Sequence, residues 1–260
     1  MTVIFKVKTH EGYFFKVLSE LLKNIIKTAC LEITEAGIGL CMMDSHRHIL
    51  VDVELKQSNF NMFQFSGENL YLGINLTHLF SMLKTIKKKD SLVLYIDDDE
   101  PEKLYICIHP KENNRLSKSF VYIQTIQHIK IPLPIGYSNP VIVSSGDYQR
   151  TLKDMINIGD TLTVHMRKYS ISIACSADNI YSKEVMFGEL DDKTDEYYCE
   201  NFNMDPFNRI LKISGLCKNI QVCKGTESLP LRITSNIGQL GVISFYIKSR
   251  NQIRLDSMSS

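Results

Sequence analysis

The chain has 260 residues, enough for one large domain or two ordinary ones, each with its own core. It is 44% hydrophobic and 23% charged, a globular composition, and no run of about 18 apolar residues is present to cross a membrane as a helix. A net charge of +1 excludes bulk attraction to polyanions, so any basic surface must be local and balanced by acid elsewhere.

The first residues, MTVIFKVKTHEG, carry charge where a signal peptide needs an apolar core, so secretion is not expected. A helical period then covers roughly 11–29. Short segments rich in β-branched and aromatic residues follow as strands: LEIT, GIGLCMM, HILVDVEL and FNMFQF. A second helical period, roughly 75–88, leads to SLVLYI, KLYICIH and SFVYIQT. The later half repeats the style, with helices near 146–157 and 204–214 among TLTVHM, SISIACS, SKEVMF, IQVCK, LRITS and VISFYIK. Seven scattered cysteines with no C-x-x-C pair read as free thiols in a reducing compartment.

The halves resemble each other. NLTHLFSMLK, from Asn75, aligns without gaps on NMDPFNRILK, from Asn203, an offset of 203 − 75 = 128. GYFFKVLSELL, from Gly12, aligns on GDYQRTLKDMI, from Gly146, an offset of 146 − 12 = 134. Two similar offsets near half the length indicate a duplicated domain. Between the halves, IQHIKIPLPIGYSNP is barred from regular structure by its prolines and glycine. The expected organisation is an N-terminal domain over 1–124, a connector over 125–140 and a C-terminal domain over 141–260.

At about 100° per residue, Leu18, Leu22, Ile25 and Ala29 share one side of the first helix. Lys16, Lys23 and Lys27 share the other. The second helix ends in Lys84, Lys87, Lys88 and Lys89; Arg150 and Lys153 lie one turn apart on the third, as do Arg209 and Lys212 on the fourth. The acids gather in loop-like DDDEPE and ELDDKTDE. Cations on four corresponding helices suit a phosphate backbone, held through counterion release without reading bases. The Phe and Tyr residues alternate into strands, which leaves no stacking platform for single strands.

Five ordered stretches carry a resemblance: VLSELLKNIIKTACLEITEAGIGLCMMDSHRHILVDVEL, LGINLTHLFSMLK, SSGDYQRTLKDMINIGD, SLPLRI and IGQLGVISFYIK. Together they resemble the proliferating cell nuclear antigen family, the eukaryotic and viral DNA sliding clamps. The resemblance implies an α+β fold of two topologically similar clamp domains, with helices on the inner face of curved antiparallel sheets. It implies a homotrimeric ring around duplex DNA, no enzymatic activity and no cofactor. Its partners would be DNA polymerase, other proteins bearing a clamp-binding peptide and a clamp loader, in the nucleus or at a cytoplasmic viral replication site. By position, the pore-facing cations would be Lys16, Lys23, Lys84, Arg115, Arg150, Lys153 and Lys212; helical geometry adds Lys27, Lys87, Lys88 and Arg209.

The resemblance places MMDSHRHIL beside the pocket that receives partner peptides. That pocket would involve Met43, His48, Leu50, Ile131, Pro132, Leu133, Pro134, Pro230, Tyr246, Ile247 and Lys248. Subunit contacts would pair edge strands, one bearing Ser119, Tyr122 and Gln124, the other Ile180, Ser182 and Glu184. Lys168 falls where family members carry a modified lysine, and an ordinary loop lysine is the favoured reading. A connector without acidic lead-in and a basic tail, KSRNQIRLDSMSS, depart from the family's pattern. Two alternatives stay open: a ring-less factor or one subunit of a heterotrimeric checkpoint-type clamp, and a metal-dependent hydrolase built on Asp44, His46, His48 and the DDDE run from Asp97. Consecutive acids in a turn alternate direction and rarely converge on one ion, and neither a nucleophile–base set nor a phosphate-binding glycine loop is visible.

Overall fold

The computed structural model describes residues 3–111, 116–177, 180–189, 197–226 and 229–259. The chain packs as two compact units: Met1–Met42 with Val51–Ile131 and Asn236–Ile243, and Met43–Leu50 with Pro132–Ser235 and Ser244–Ser260.

The elements of the first half run β1 (Val3–Thr9), α1 (Gly12–Leu22), β2 (Thr28–Thr34), β3 (Gly37–Met43), β4 (Ile49–Lys56), β5 (Met62–Phe65), β6 (Leu70–Asn75), α2 (Leu76–Leu83), β7 (Ser91–Asp97), β8 (Glu100–His109) and β9 (Ser117–Tyr122). Hydrogen bonding orders them as β5-β1-β7-β8-β9 and β4-β3-β2-β6. The registered pairs are antiparallel. The second half repeats the order of strand, helix, run of strands, helix and three strands. It runs β10 (Val141–Ser144), α3 (Ser145–Met155), β11 (Thr161–Met166), β12 (Ser170–Ala177), β13 (Tyr181–Gly188), β14 (Tyr198–Asn203), α4 (Met204–Arg209), β15 (Asn219–Cys223), β16 (Leu231–Ile237) and β17 (Gly241–Ile247), then α5 (Arg250–Ser259). Its ladders are β10-β15-β16-β17 and β13-β12-β11-β14. The fold is α+β with antiparallel sheets and few helices.

Alternation drives the strands. In β1, Phe5, Val7 and Thr9 turn inward while Lys6 and Lys8 do not. α2 starts where Asn75 Oδ1 accepts from the amides of Thr77 and His78, both at 3.1 Å. The inner faces of α1 and α2 bury Phe15, Leu18, Leu22, Leu79 and Leu83. In the second unit Tyr148, Leu152 and Met155 of α3 are buried, and Phe202 meets Phe207 edge to face at 5.6 Å.

Several expectations are corrected. α1 ends at Leu22 rather than near 29, because the Leu22 carbonyl accepts from both Ile25 and Ile26 amides and closes the turn. Ile25 and Ala29 fit the helical arc yet are buried for other reasons: Ile25 lies in that turn and Ala29 is in β2. The fourth helix breaks at Ile210, and Leu211–Gly215 continue as a 3-10 turn. β1, β6, β10, β14 and α5 were not anticipated. Of these, α5 had a readable signal. Ser249 Oγ accepts from the Gln252 amide at 3.3 Å and Gln252 Oε1 from the Ser249 amide at 2.9 Å, a reciprocal cap at three-residue spacing.

Asp52 of β4 gives a pH prediction. Burial first, and the charge of Glu54 second, raise its carboxyl pKa above the ordinary value. Its neighbour Cys41 is pushed up to about 11 by burial and by Asp52. The folded state therefore binds the Asp52 proton more tightly than the unfolded chain does. Stability falls as pH rises through that raised pKa, and the penalty is complete at neutral pH. Asp52→Asn is expected to raise the urea midpoint at neutral pH and to leave it little changed in acid. An equal shift at both pH values would contradict the assignment.

Candidate nucleic-acid face and partner pocket

In the first unit, α1 and α2 lie side by side and share a cationic surface. Lys16 Nζ donates to the Ile86 carbonyl at 3.4 Å and stands 5.8 Å from the Tyr13 ring centroid. Lys88 Nζ stands 5.9 Å from the same ring, so two ammonium groups share one aromatic partner. Lys23 caps the C-terminus of α1 and sits 3.7 Å from the Phe80 ring centroid, which ties the end of α1 to α2. Lys84, Lys87 and Lys88 are exposed beyond α2; buried Asp90 accepts from the Lys87 amide at 2.9 Å and fixes that turn. Lys27 is corrected: it is exposed in the turn before β2, off the helix.

The second unit repeats the arrangement. Arg150 and Lys153 are exposed on α3, and Arg150 pairs with Asp147 one turn earlier. That guanidinium first, and Ser144 second, hold the Asp147 carboxyl below its ordinary range. α3 packs against the 3-10 turn carrying exposed Lys212, where Gln149 Nε2 donates to the Leu211 carbonyl at 2.9 Å. Arg209 differs from the other cations. It is half-buried and committed, with Nη1 at 3.3 Å from Asp44 Oδ2 and Nη2 at 2.6 Å from Asp205. Arg115 lies outside the described residues.

The 43–50 loop belongs to the second unit and is organised by Asp44. This carboxylate is 1% exposed. Its Oδ1 accepts from the amides of His48 at 2.7 Å and Ile49 at 2.9 Å, and its Oδ2 faces Arg209. Arg47 takes φ +58°, the left-handed conformation that closes the turn. Both carboxylate oxygens are thus engaged by protein donors. His46 Nδ1 lies 3.7 Å from Asp44 Oδ2, and among the described residues no group of three His, Cys, Asp or Glu side chains is placed to hold a metal ion. The loop's Asp-His pattern is a folded turn.

The end of β17 joins this loop: Lys248 N donates to the His48 carbonyl at 3.0 Å. Tyr246 lies 6.1 Å from Tyr137, whose hydroxyl donates to the Pro230 carbonyl at 2.9 Å. His48 is thus tied to Lys248, and Tyr246 to Pro230 through Tyr137, a connector residue that the sequence reading missed. Pro132 and Leu133 are exposed and Pro134 half-exposed, while Met43 is half-buried and Leu50 buried. Ile247 is corrected: it points to the opposite face of β17 from Tyr246 and Lys248 and is fully buried. Ile131 belongs to the first unit, where its carbonyl lies 3.9 Å from Cys41 Sγ.

β9 and β13 are both outermost in their sheets. Ser119 and Tyr122 pair with Ile106 and Lys103 of β8, and Tyr122 is 61% exposed. On the other edge Ser182 pairs with Ser176, Glu184 pairs with Ala174, and Ile180, just ahead of β13, is 80% exposed. Gln124 is corrected as an edge residue. Its amide already donates to the Gly73 carbonyl at 2.7 Å. Lys168 stands in the turn between β11 and β12, 5.0 Å from the Tyr169 ring.

These features define a duplicated α+β chain whose paired helices carry cations and whose outer strands are open. Residues 4–130 match the family described as proliferating cell nuclear antigen, N-terminal domain. Over 256 residues the chain is 24% identical to the probable DNA polymerase sliding clamp 1 of Paramecium bursaria Chlorella virus 1, covering 94% of this chain and 96% of that protein. Over 254 residues it is 22% identical to the proliferating cell nuclear antigen of Chaetomium thermophilum, covering 93% and 96%. The chain is thus similar to the proliferating cell nuclear antigen family, over residues 4–130 by the family model and along most of its length by these two relatives.

Proposed function

We propose that this chain is a DNA sliding clamp, a polymerase processivity factor that encircles duplex DNA and tethers replication and repair proteins. The observation that carries the reading is the matched placement of cations: half-buried Lys16 and Lys23 on α1 with exposed Lys84, Lys87 and Lys88 after α2, and exposed Arg150 and Lys153 on α3 with exposed Lys212 in the turn after α4. Flexible lysines that exchange between phosphates hold a duplex without fixing its register, so the protein slides. In this reading three chains close a ring through β9 of one copy and β13 of the next. A clamp loader opens the ring, and polymerase and other clients dock by peptide at the pocket around Tyr137, Pro230, Tyr246 and Lys248. The workplace is the nucleus or a viral replication site, and the chain has no catalytic role.

The test is native mass by light scattering without DNA. Three chains of 29.8 kDa are expected. A monomer at every concentration would overturn the self-sufficient ring and favour the ring-less or heterotrimeric form.

A further inference from the structure

Arg232 is paired with no carboxylate among the described residues. It lies on β16 opposite Cys223 of β15. Its Nη2 donates to Cys223 Sγ at 3.1 Å, and its guanidinium carbon stands 4.4 Å from the Tyr137 ring centroid. Its Nε is buried with no acceptor among the described residues. A thiol and a ring face are weak partners. A guanidinium with a buried Nε is normally matched by a carboxylate.

The same unit adds the cations Arg47 and Lys248. His46, Arg47 and His48 stand on the loop whose His48 carbonyl accepts from Lys248. The connector stretch 132–140 contains no charged residue. Among the described residues, two carboxylates of this unit are already engaged near the loop and Lys248. Asp44 is buried under the loop, and Asp256 of α5 lies 2.6 Å from Lys248 Nζ. Pro230 and Tyr246 supply apolar surface around Tyr137, against whose ring Arg232 stands, and Leu133 of the connector is exposed.

We propose that this surface binds a partner peptide with carboxylates flanking its apolar anchor, and that Arg232 takes one of them. The proposal rests on the peptide pocket described above and assigns the chemistry of its clients. An apolar approach with a cationic rim suits such a peptide better than a phosphodiester, which has no apolar anchor. Rim charges contribute mainly through specificity and encounter, so the preference should weaken with salt.

The test uses the full chain and three synthetic peptides that share one apolar-plug and helical-turn core. One has Asp and Glu flanks, one Ser flanks and one Lys flanks. Fluorescence anisotropy at low salt is expected to give about tenfold tighter binding of the acidic peptide than of the lysine peptide. The difference should shrink at high salt and in Arg232→Gln. Because the wild-type comparison changes only the peptide, misfolding cannot mimic it. Equal binding of all three, or tighter binding of the lysine peptide, would overturn the proposal and leave the pocket standing. No binding of any peptide would overturn the pocket and the proposal together. Displacement of the acidic peptide by a short oligonucleotide would reassign the surface to nucleic acid and overturn the proposal.

Discussion

Replacing Lys16, Lys23, Arg150 and Lys153 together by alanine is expected to weaken duplex DNA binding by about two orders of magnitude near physiological salt. Each lost phosphate contact removes about 0.9 from the slope of log K against log salt, so the four together remove roughly 3–4. The fold should survive, because Arg150 and Lys153 are exposed and the other two are half-buried, reaching out over Tyr13 and Phe80. Lys56→Ala, at the end of β4 and off the helices, is the control and should change nothing. Filter binding across a salt series reads both quantities. An unchanged slope in the quadruple variant would remove the helices from the DNA-facing surface.

Asp44→Ala should have the largest effect on stability. The substitution strands the His48 and Ile49 amides and takes one of two carboxylates from Arg209. Losing a buried, multiply bonded carboxylate costs about 3 kcal/mol. For a chain of this size that lowers the melting temperature by roughly 6–12 °C. Asp44→Asn keeps an oxygen for the two amides and should cost less than half as much. The His48 carbonyl also receives the Lys248 amide, so peptide binding should fall along with stability. A melting temperature within a degree of wild type would show that the loop holds its shape without this carboxylate.

Where local chemistry decides, the sequence was sufficient. The alternation of the strands, the Asn75 cap of α2 and the repeated helix pairs could all be read from neighbouring residues. Arg209 could not. Its helical phase marks it as a surface cation, and its partner Asp44 lies 165 positions away. Lys27 was misplaced for a related reason. Ile25 and Ala29 are apolar at helical spacing, although one fills a turn and the other begins a strand's core. Ile247 was placed at the pocket with its neighbours, although strand alternation alone turns it away. Tyr137 and Arg232 depend on a connector aromatic meeting two distant strands, which no spacing rule reveals. β1 is legible in VIFKVKT, whose apolar residues alternate with charged ones, although its terminal place also invites a leader reading.

The two open strands have a further consequence for assembly. β9 and β13 sit on different units, so a copy that joins β9 to a neighbour's β13 still has its own β13 exposed. Such head-to-tail contact has no built-in stopping number. The turn from one copy to the next decides whether the series closes or runs on as a filament. Stoichiometry is then a matter of angle, and affinity sets only how often one seam parts. A substitution that bends either strand could convert closed particles into fibres while leaving each seam as tight as before.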